Sequence, residues 1–479
     1  MHHSTLLALG LVAGQAVAET VHGVVVFSRH GDRTSKHYSG YGLTSLGASQ
    51  NFQVGSDYRA RYLEAGSEHQ ILGISPDVYK PSQIFASAPT SGILSNTATA
   101  FLQGLYPPLA DINQELSISK LNNGSDSTAP LEGYQYVLLT SIGAESPDTI
   151  WIKGGVGCPS YTSASKSFKD SADFKARSTA TKDFYAGFYD ALSPGVADLK
   201  PENMTYKNAY DIFDLANTAR IHNSSSAARN ISDADMFQLR TLADSAEFGT
   251  NYNASQPARS IGAQTLAGGV LAQLNQTVAT KGKLKFSLFA GSYDTFLSFF
   301  GITGLTSLST DFEGLPDYAS TMVFELFTDA TTDKFPDNVA DLKVRWMLRN
   351  GTAGALTAYP LFGQKEEALP YTQFRSEMDK RAISDVKTWC TTCSSQEQFC
   401  AAYRTSDDDD ATVQTNGGSK SGMSNAVAGV IGAMVTLGVV AIVGAIAFVL
   451  LRKRRAQAGA VAGEDMEKKR SLDSGTPSA

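Results

Sequence analysis

The chain has 479 residues, 42% of them hydrophobic and 18% charged, which is enough for one large globular core with appendages. Its formal net charge is −7, and the segment after Leu451 is net basic, so everything before it is more acidic still. That excludes nucleic-acid binding driven by bulk charge, and any attraction for a phosphate group must be local.

Residues 1–18 combine an apolar stretch, Leu6 to Val12, with the small-residue ending Ala16-Val17-Ala18. This is the pattern of a secretory signal peptide cleaved near Ala18. Next comes VHGVVVFSRHGDRTSK, from Val21 to Lys36. Its β-branched run Val24, Val25, Val26, Phe27 predicts a buried strand that opens at Ser28 into a cationic loop. Within that loop, Arg29 and Arg33 offer forked donors suited to a phosphate, His30 can act as nucleophile or base, and Gly31 permits close backbone approach.

Further along, Leu46, Phe52, Tyr58 and Tyr62 recur at helical spacing, so Thr44 to Glu64 should form a helix beside the first strand. Gln83 to Ala86 predicts a strand, and Leu94 to Leu105 a helix stopped by Gly104 to Pro108. Residues 134–247 read as mostly helical. Ile261 to Leu274 has helical periodicity, and Leu284 to Ala290 and Met322 to Phe327 read as strands. The alternation of Leu342, Val344, Trp346 and Leu348 predicts another strand, closed by a hairpin turn at Asn350-Gly351.

The C-terminal segments read as addresses rather than fold. Residues 404–425 are acidic and polar, a solvated stalk. Residues 426–451 contain no charge, about 39 Å as a helix against a hydrocarbon core of about 30 Å, so one transmembrane helix is predicted there. Arg452-Lys453-Arg454-Arg455 follows at once, which assigns residues 452–479 to a cytosolic tail and the large domain to the extracellular or lumenal side, a single-pass type I arrangement. A lipid-anchor signal is the alternative, but such tails end apolar. Seven N-x-S/T sites, at Asn123, Asn203, Asn223, Asn230, Asn253, Asn275 and Asn350, precede the span, as a glycoprotein requires. The four cysteines, Cys158, Cys390, Cys393 and Cys400, suit two disulfides with three possible pairings. Loop-closure entropy favours tying Cys158 to the C-terminal cluster, and the preferred pairing is Cys158 with Cys390 and Cys393 with Cys400. Zinc is the competing reading of Cys390-x-x-Cys393, weakened because no histidine follows His222.

RHGDR after an apolar strand resembles the signature of the histidine acid phosphatases, the branch of the histidine phosphatase superfamily that includes fungal acid phosphatases and phytases. The similarity continues in order through LTSLGASQNFQVGSDYRARY, GLYPP at Gly104 to Pro108, Cys158-Pro159, NAYDIFDLAN, Ala258 to Gly304 and LPYTQF, roughly Val21 to Cys400. The resemblance implies one α/β domain over residues 19–403, with a mixed central sheet flanked by helices and a helical cap subdomain at about 134–247. It implies hydrolysis of phosphomonoesters through a phosphohistidine on His30, with Arg29 and Arg33 holding the phosphate and Asp294 as general acid, without cofactor or metal. Because an aspartate must be protonated to act as an acid, activity should favour low pH. An aspartate after a glycine-rich turn also suits capping of the next helix, so both readings of Asp294 stand.

The chain departs from the family pattern at three places. Ser35 replaces a proline of the signature, the family's second arginine falls at Gly92 or Ile93, and Tyr293 replaces the histidine of the His-Asp pair. Losing one such donor costs roughly a hundred- to a thousandfold in turnover. Tyr293 can still donate its phenolic proton to substrate and Lys36 can lend a cation. Two functions therefore follow: a membrane-anchored acid phosphatase at the cell surface or in a secretory or vacuolar compartment, or a weak or inactive relative acting as an anion-binding or cell-surface glycoprotein.

Overall fold

The computed structural model describes residues 19–404 except 195 and 197. The signal peptide, nearly all of the stalk, the 426–451 span and the tail lie outside the described residues, and no helix among the described residues is long and apolar enough to cross a membrane.

Among the described residues ten strands form in chain order: β1 (Thr20–Arg29), β2 (Ile84–Pro89), β3 (Ile118–Lys120), β4 (Asp126–Thr128), β5 (Thr140–Ile142), β6 (Phe286–Gly291), β7 (Thr321–Thr328), β8 (Lys343–Arg349), β9 (Leu356–Ala358) and β10 (Ala368–Pro370). β3 and β4 make a small separate hairpin, and the others build one mixed sheet in the order β10-β8-β7-β1-β6-β2-β5, with β9 on β8. β1 is central. It runs parallel to β6, with Val26 opposite Leu288 and Arg29 opposite Gly291, and antiparallel to β7 on its other side. Because both faces of β1 are covered, its side chains are buried without alternation after Thr20, as its unbroken apolar run predicts.

Two apolar layers sandwich the sheet. On one face the helix Ile261–Ala279 contributes Leu266, Val270 and Leu274 to a cluster with Phe27, Phe289, Phe296 and Trp346. On the other, Val24, Val26 and Leu288 meet Tyr58, Tyr62 and Phe101 from the helices Ser45–Tyr62 and Leu94–Leu105. Those two helices approach closely at glycine: a Cβ on Gly55 would lie 2.0 Å from Phe101 O, and one on Gly104 2.0 Å from Phe52 O. Between Cys158 and Asn251 the chain is mainly helical, with its own core of Tyr185, Tyr206, Leu215 and Leu239. The 134–247 boundaries need adjusting at both ends, because β5 belongs to the main sheet and the helix Asp233–Asn251 runs past 247.

Two local expectations are corrected. The link after β8 is a hairpin, since Arg349 pairs with Leu356, but the connection is a longer loop in which Gly351 takes φ +76° and Asn350 accepts from the Asp317 N–H at 2.8 Å. The disulfides are Cys158–Cys393 and Cys390–Cys400, not the preferred pairing. The helix Val386–Cys393 decides this. Trp389 Nε1 donates to Gly154 O at 2.8 Å and Ser395 Oγ to Gly157 O at 2.7 Å, which presents the helix's last residue to Cys158. Cys390 is thereby left for Cys400. With all four cysteines paired, the zinc reading is excluded. The disulfides fit an extracellular or secretory setting.

Candidate active site

The parallel strands β1 and β6 end side by side, and the signature loop leaves β1 where the helix Tyr293–Ile302 begins after β6. Carboxyl ends of parallel strands are where α/β folds place ligands. His30 is pinned there, its N–H donating to Gly291 O at 3.3 Å and its O accepting from Ala319 N at 3.0 Å. Beyond it the loop lies against the first two turns of the helix Ser45–Tyr62. Gly31 N–H donates to Asn51 Oδ1 and Asp32 N–H to Gln50 Oε1, both at 2.7 Å, and Asn51 Nδ2 donates to Arg29 O. Gly31 is required for this fit, since a Cβ would come within 2.2 Å of Gly47 O. The close approach expected at this glycine is therefore to the helix.

His30 is 2% exposed. Its Nδ1 lies 2.9 Å from Gly31 O, and since a carbonyl can only accept, Nδ1 carries the proton and Nε2 the lone pair. Burial first, and then the charges of Arg29 and Arg33, hold the imidazole well below its ordinary 6.5. It therefore stays neutral into the acid range. The ring borders a cavity of about 160 Å³ together with Lys36, Tyr41, Gly92, Ile93, Lys153 and Ser292. The position where an arginine is missing thus does face His30, and a Cβ on Gly92 would meet nothing within 4 Å.

Both signature arginines are engaged with protein groups. Arg33 makes a two-pronged ion pair with Asp214, Nη2–Oδ1 2.9 Å and Nη1–Oδ2 3.1 Å, and also donates to Tyr210 OH at 2.8 Å and Thr34 O at 2.9 Å. Asp214 further accepts from Ser35 Oγ and the Lys36 N–H, so one carboxylate gathers the whole loop. Arg29 donates to Pro316 O and stacks on Tyr318 and Tyr293, 4.8 and 5.3 Å from the ring centroids. It borders a second, larger cavity of about 410 Å³ with Tyr210, Arg240 and Tyr318. Near His30 the two guanidinium groups supply a positive field. The Nη donors of Arg33 are taken by Asp214, Tyr210 and Thr34, whereas Arg29 gives one to Pro316 O and its Nε has no partner among the described residues.

Tyr293 is buried, and its hydroxyl donates to Glu247 Oε2 at 3.0 Å. The hydroxyl expected to donate to substrate thus donates to a carboxylate instead. Its ring stacks on Tyr210 at 4.9 Å, and Lys36 Nζ lies 4.6 Å from the Tyr293 centroid and 5.3 Å from that of Tyr210. Asp294 is half-buried in the first turn of the helix Tyr293–Ile302. It does not cap that helix: Ser292 occupies the cap position, and among the described residues the Asp294 carboxylate has no hydrogen-bond partner. Its charge acts on Lys36, Tyr293 and Glu247, which marks it as their neighbour.

Sequence reasoning passed over Asp214, Glu247 and Lys153. Tyr210 and Asp214 stand four residues apart on the helix Ala209–His222, hence on one face, and that spacing was the available signal. Nothing distinguishes Lys153, which ends the short helix Ile150–Lys153, from any other lysine until its cavity is seen. The asparagines of all seven N-x-S/T sequons, Asn123, Asn203, Asn223, Asn230, Asn253, Asn275 and Asn350, are exposed or half-exposed. Among the described residues one group, Glu19, His69 and Glu325, has metal-ligand spacing. It lies away from the site, and Arg345 already pairs with both of its carboxylates.

His30 thus borders a small cavity with two lysines at the carboxyl end of a parallel strand, the place where α/β folds hold ligands. The sequence matches the histidine phosphatase superfamily (branch 2) over residues 36–341, and the chain belongs to that family. Membership supports phosphomonoester hydrolysis as the general chemistry. Among solved structures, the phytase of Klebsiella sp ASR1 is 13% identical with a TM-score of 0.50, covering 76% of this chain and 96% of that one. A phytase from D. castellii (13%, TM-score 0.49, covering 81% and 85%) and a multiple inositol polyphosphate phosphatase from Bifidobacterium longum crystallised with inositol hexasulfate (13%, 0.43, covering 77% and 94%) are also similar. At such identities the likeness to the Klebsiella enzyme shows the fold. A search of curated proteins returns no match.

Proposed function

We propose that this protein is a membrane-anchored, secretory-pathway glycoprotein that hydrolyses phosphomonoesters through His30. Nε2 attacks phosphorus, the ester P–O bond breaks, and Asp294 gives its proton to the departing alkoxide. Water then attacks the phosphohistidine, returning Nε2 to its neutral form and the proton to Asp294. Lys36 and Lys153 neutralise the transferring oxygens, while Arg29 and Arg33 act through their field. No metal or cofactor takes part. The observation that carries this reading is the fixed tautomer of His30, with its Nδ1 on Gly31 O in a cavity shared with two lysines.

A second reading, an anion-binding relative with weak or no turnover, is favoured by the engagement of Arg33 with Asp214 and by the absence of a cationic side chain at Gly92 and Ile93. Steady-state hydrolysis of an aryl phosphate between pH 3 and pH 8 separates the two. Chelator-resistant turnover, highest at acid pH and lost in Asp294→Asn, supports the hydrolase. Phosphate binding without turnover supports the relative.

A further inference from the structure

Glu247 has no part in the chemistry above, yet it sits within the same group of side chains. It stands on the helix Asp233–Asn251, half-buried, and burial raises its carboxyl above the ordinary range despite the nearby Lys36 and Lys169. Its one side-chain hydrogen bond among the described residues is to the Tyr293 hydroxyl. It is not on the wall of the His30 cavity.

The hydroxyls of the stacked pair Tyr293 and Tyr210 are both tied down, the first to Glu247 and the second to Arg33. Between them the rings offer two faces to the ammonium of Lys36. A cation over an aromatic face is held in place yet keeps its N–H donors free for an anion. Lys36 is fixed at its other end too, where its backbone N–H donates to Asp214 Oδ2 at 2.9 Å. Among the described residues no carboxylate pairs with its ammonium; burial first, and then the repulsion of Arg33 and Arg29, lower its pKa from the ordinary lysine value, partly offset by the attraction of Asp294 and Glu247.

We propose that Glu247 is a positioning residue for anion binding: by accepting the Tyr293 hydroxyl it fixes the ring on which Lys36 rests, and so sets where that cation meets an anion beside His30. This deepens the reading of the site given above and rests on it. Glu247 needs only to accept a hydrogen bond, not to transfer a proton.

The test is calorimetric binding of inorganic phosphate to the full-length protein, beside KM and kcat for an aryl phosphate. Glu247→Gln keeps the acceptor and should bind phosphate within about threefold of the unmodified protein, with kcat preserved. Glu247→Leu should weaken phosphate binding and raise KM about tenfold while kcat changes less than threefold. Lys36→Met should cause a similar loss, and the double variant should lose no more than Lys36→Met alone, since residues acting as one unit are non-additive. Should Glu247→Leu fail to fold, Tyr293→Phe removes the same hydrogen bond and should give the same rise in KM. The inference is overturned if neither Glu247→Leu nor Tyr293→Phe alters phosphate affinity. It is equally overturned if Glu247→Gln loses kcat while still binding phosphate, which would make Glu247 a proton donor. Normal phosphate binding without turnover would sink the hydrolase reading and leave these affinities to decide the role of Glu247. No phosphate binding by the unmodified protein would overturn both.

Discussion

β1 carries a buried histidine near its start, His22, and its end delivers another, His30. Both are almost wholly enclosed, and burial lowers both below 6.5, His22 to about 4. His22 has Thr328 Oγ1 at 3.1 Å, the edge of Phe335 at 5.1 Å and an Nδ1 without a partner, and it borders none of the cavities that line the site. His30 has a backbone-fixed tautomer, the field of two guanidinium groups and a cavity on which two lysines open. In both, burial first and a nearby cation second, Lys285 for His22 and Arg29 and Arg33 for His30, favour the neutral ring. The proposed mechanism asks more of His30: an aimed lone pair with cationic side chains around it.

The comparison breaks most visibly by mutation. His30→Ala should lower kcat/KM on an aryl phosphate by more than about a thousandfold, the scale of nucleophile loss, while His22→Gln should leave it within twofold. Equal losses from the two would erase the distinction. Next in size, Asp214→Ala would strand the buried Arg33 and free Ser35 and the Lys36 backbone, costing about 3–5 kcal/mol of stability. Thermal unfolding should report it, with activity lost in parallel as the loop comes away from its helix.

The two histidines also share a pH signature. A folded-state value below the unfolded one means that the unfolded chain takes up protons first, so His22 contributes stability at neutral pH that is lost as pH falls from 6.5 towards 4. From its shift that loss is at most about 3 kcal/mol. Urea titrations at pH 7 and pH 4 should show it, and His22→Phe should flatten the His22 part, leaving the part due to His30. An unchanged pH dependence in that variant would count against the burial of His22. The smallest effect expected is a gain. Gly92→Arg has open space before it and should raise turnover about tenfold, or about 1.4 kcal/mol of barrier. No gain would show that the lysines already supply what the cavity needs.

Much of this arrangement was legible in the residues. The run Val24 to Phe27, the helix Leu94–Leu105 and the alternation of Val344 and Trp346 announce buried elements through their periodicity, and the structure forms each of them. His30 follows the last residue of β1, and Asp294 stands in the first turn of the helix after the neighbouring parallel strand β6, off the wall of the His30 cavity. Periodicity says which residues are buried but not which distant side chain faces them. Hence Arg33 reads as a phosphate donor until Asp214, 181 residues later, is seen to occupy it. Tyr293 likewise reads as a free hydroxyl until it is seen to donate its hydrogen bond to Glu247. Cys158 is tied to the C-terminal cluster as loop entropy favours, but the preferred pairing fails for the same reason, since loop entropy ranks closures without knowing how the helix Val386–Cys393 is turned.

The central claim is that His30 becomes phosphorylated during turnover. Rapid quenching of the full-length protein with an aryl phosphate, followed by peptide mass mapping under alkaline conditions that preserve phosphohistidine, tests it directly. The account predicts a phosphate on the peptide carrying His30, formed at the rate of the aryl-alcohol burst and absent from His30→Ala. Turnover without a phosphoenzyme, or a phosphate carried by any other residue, would contradict it.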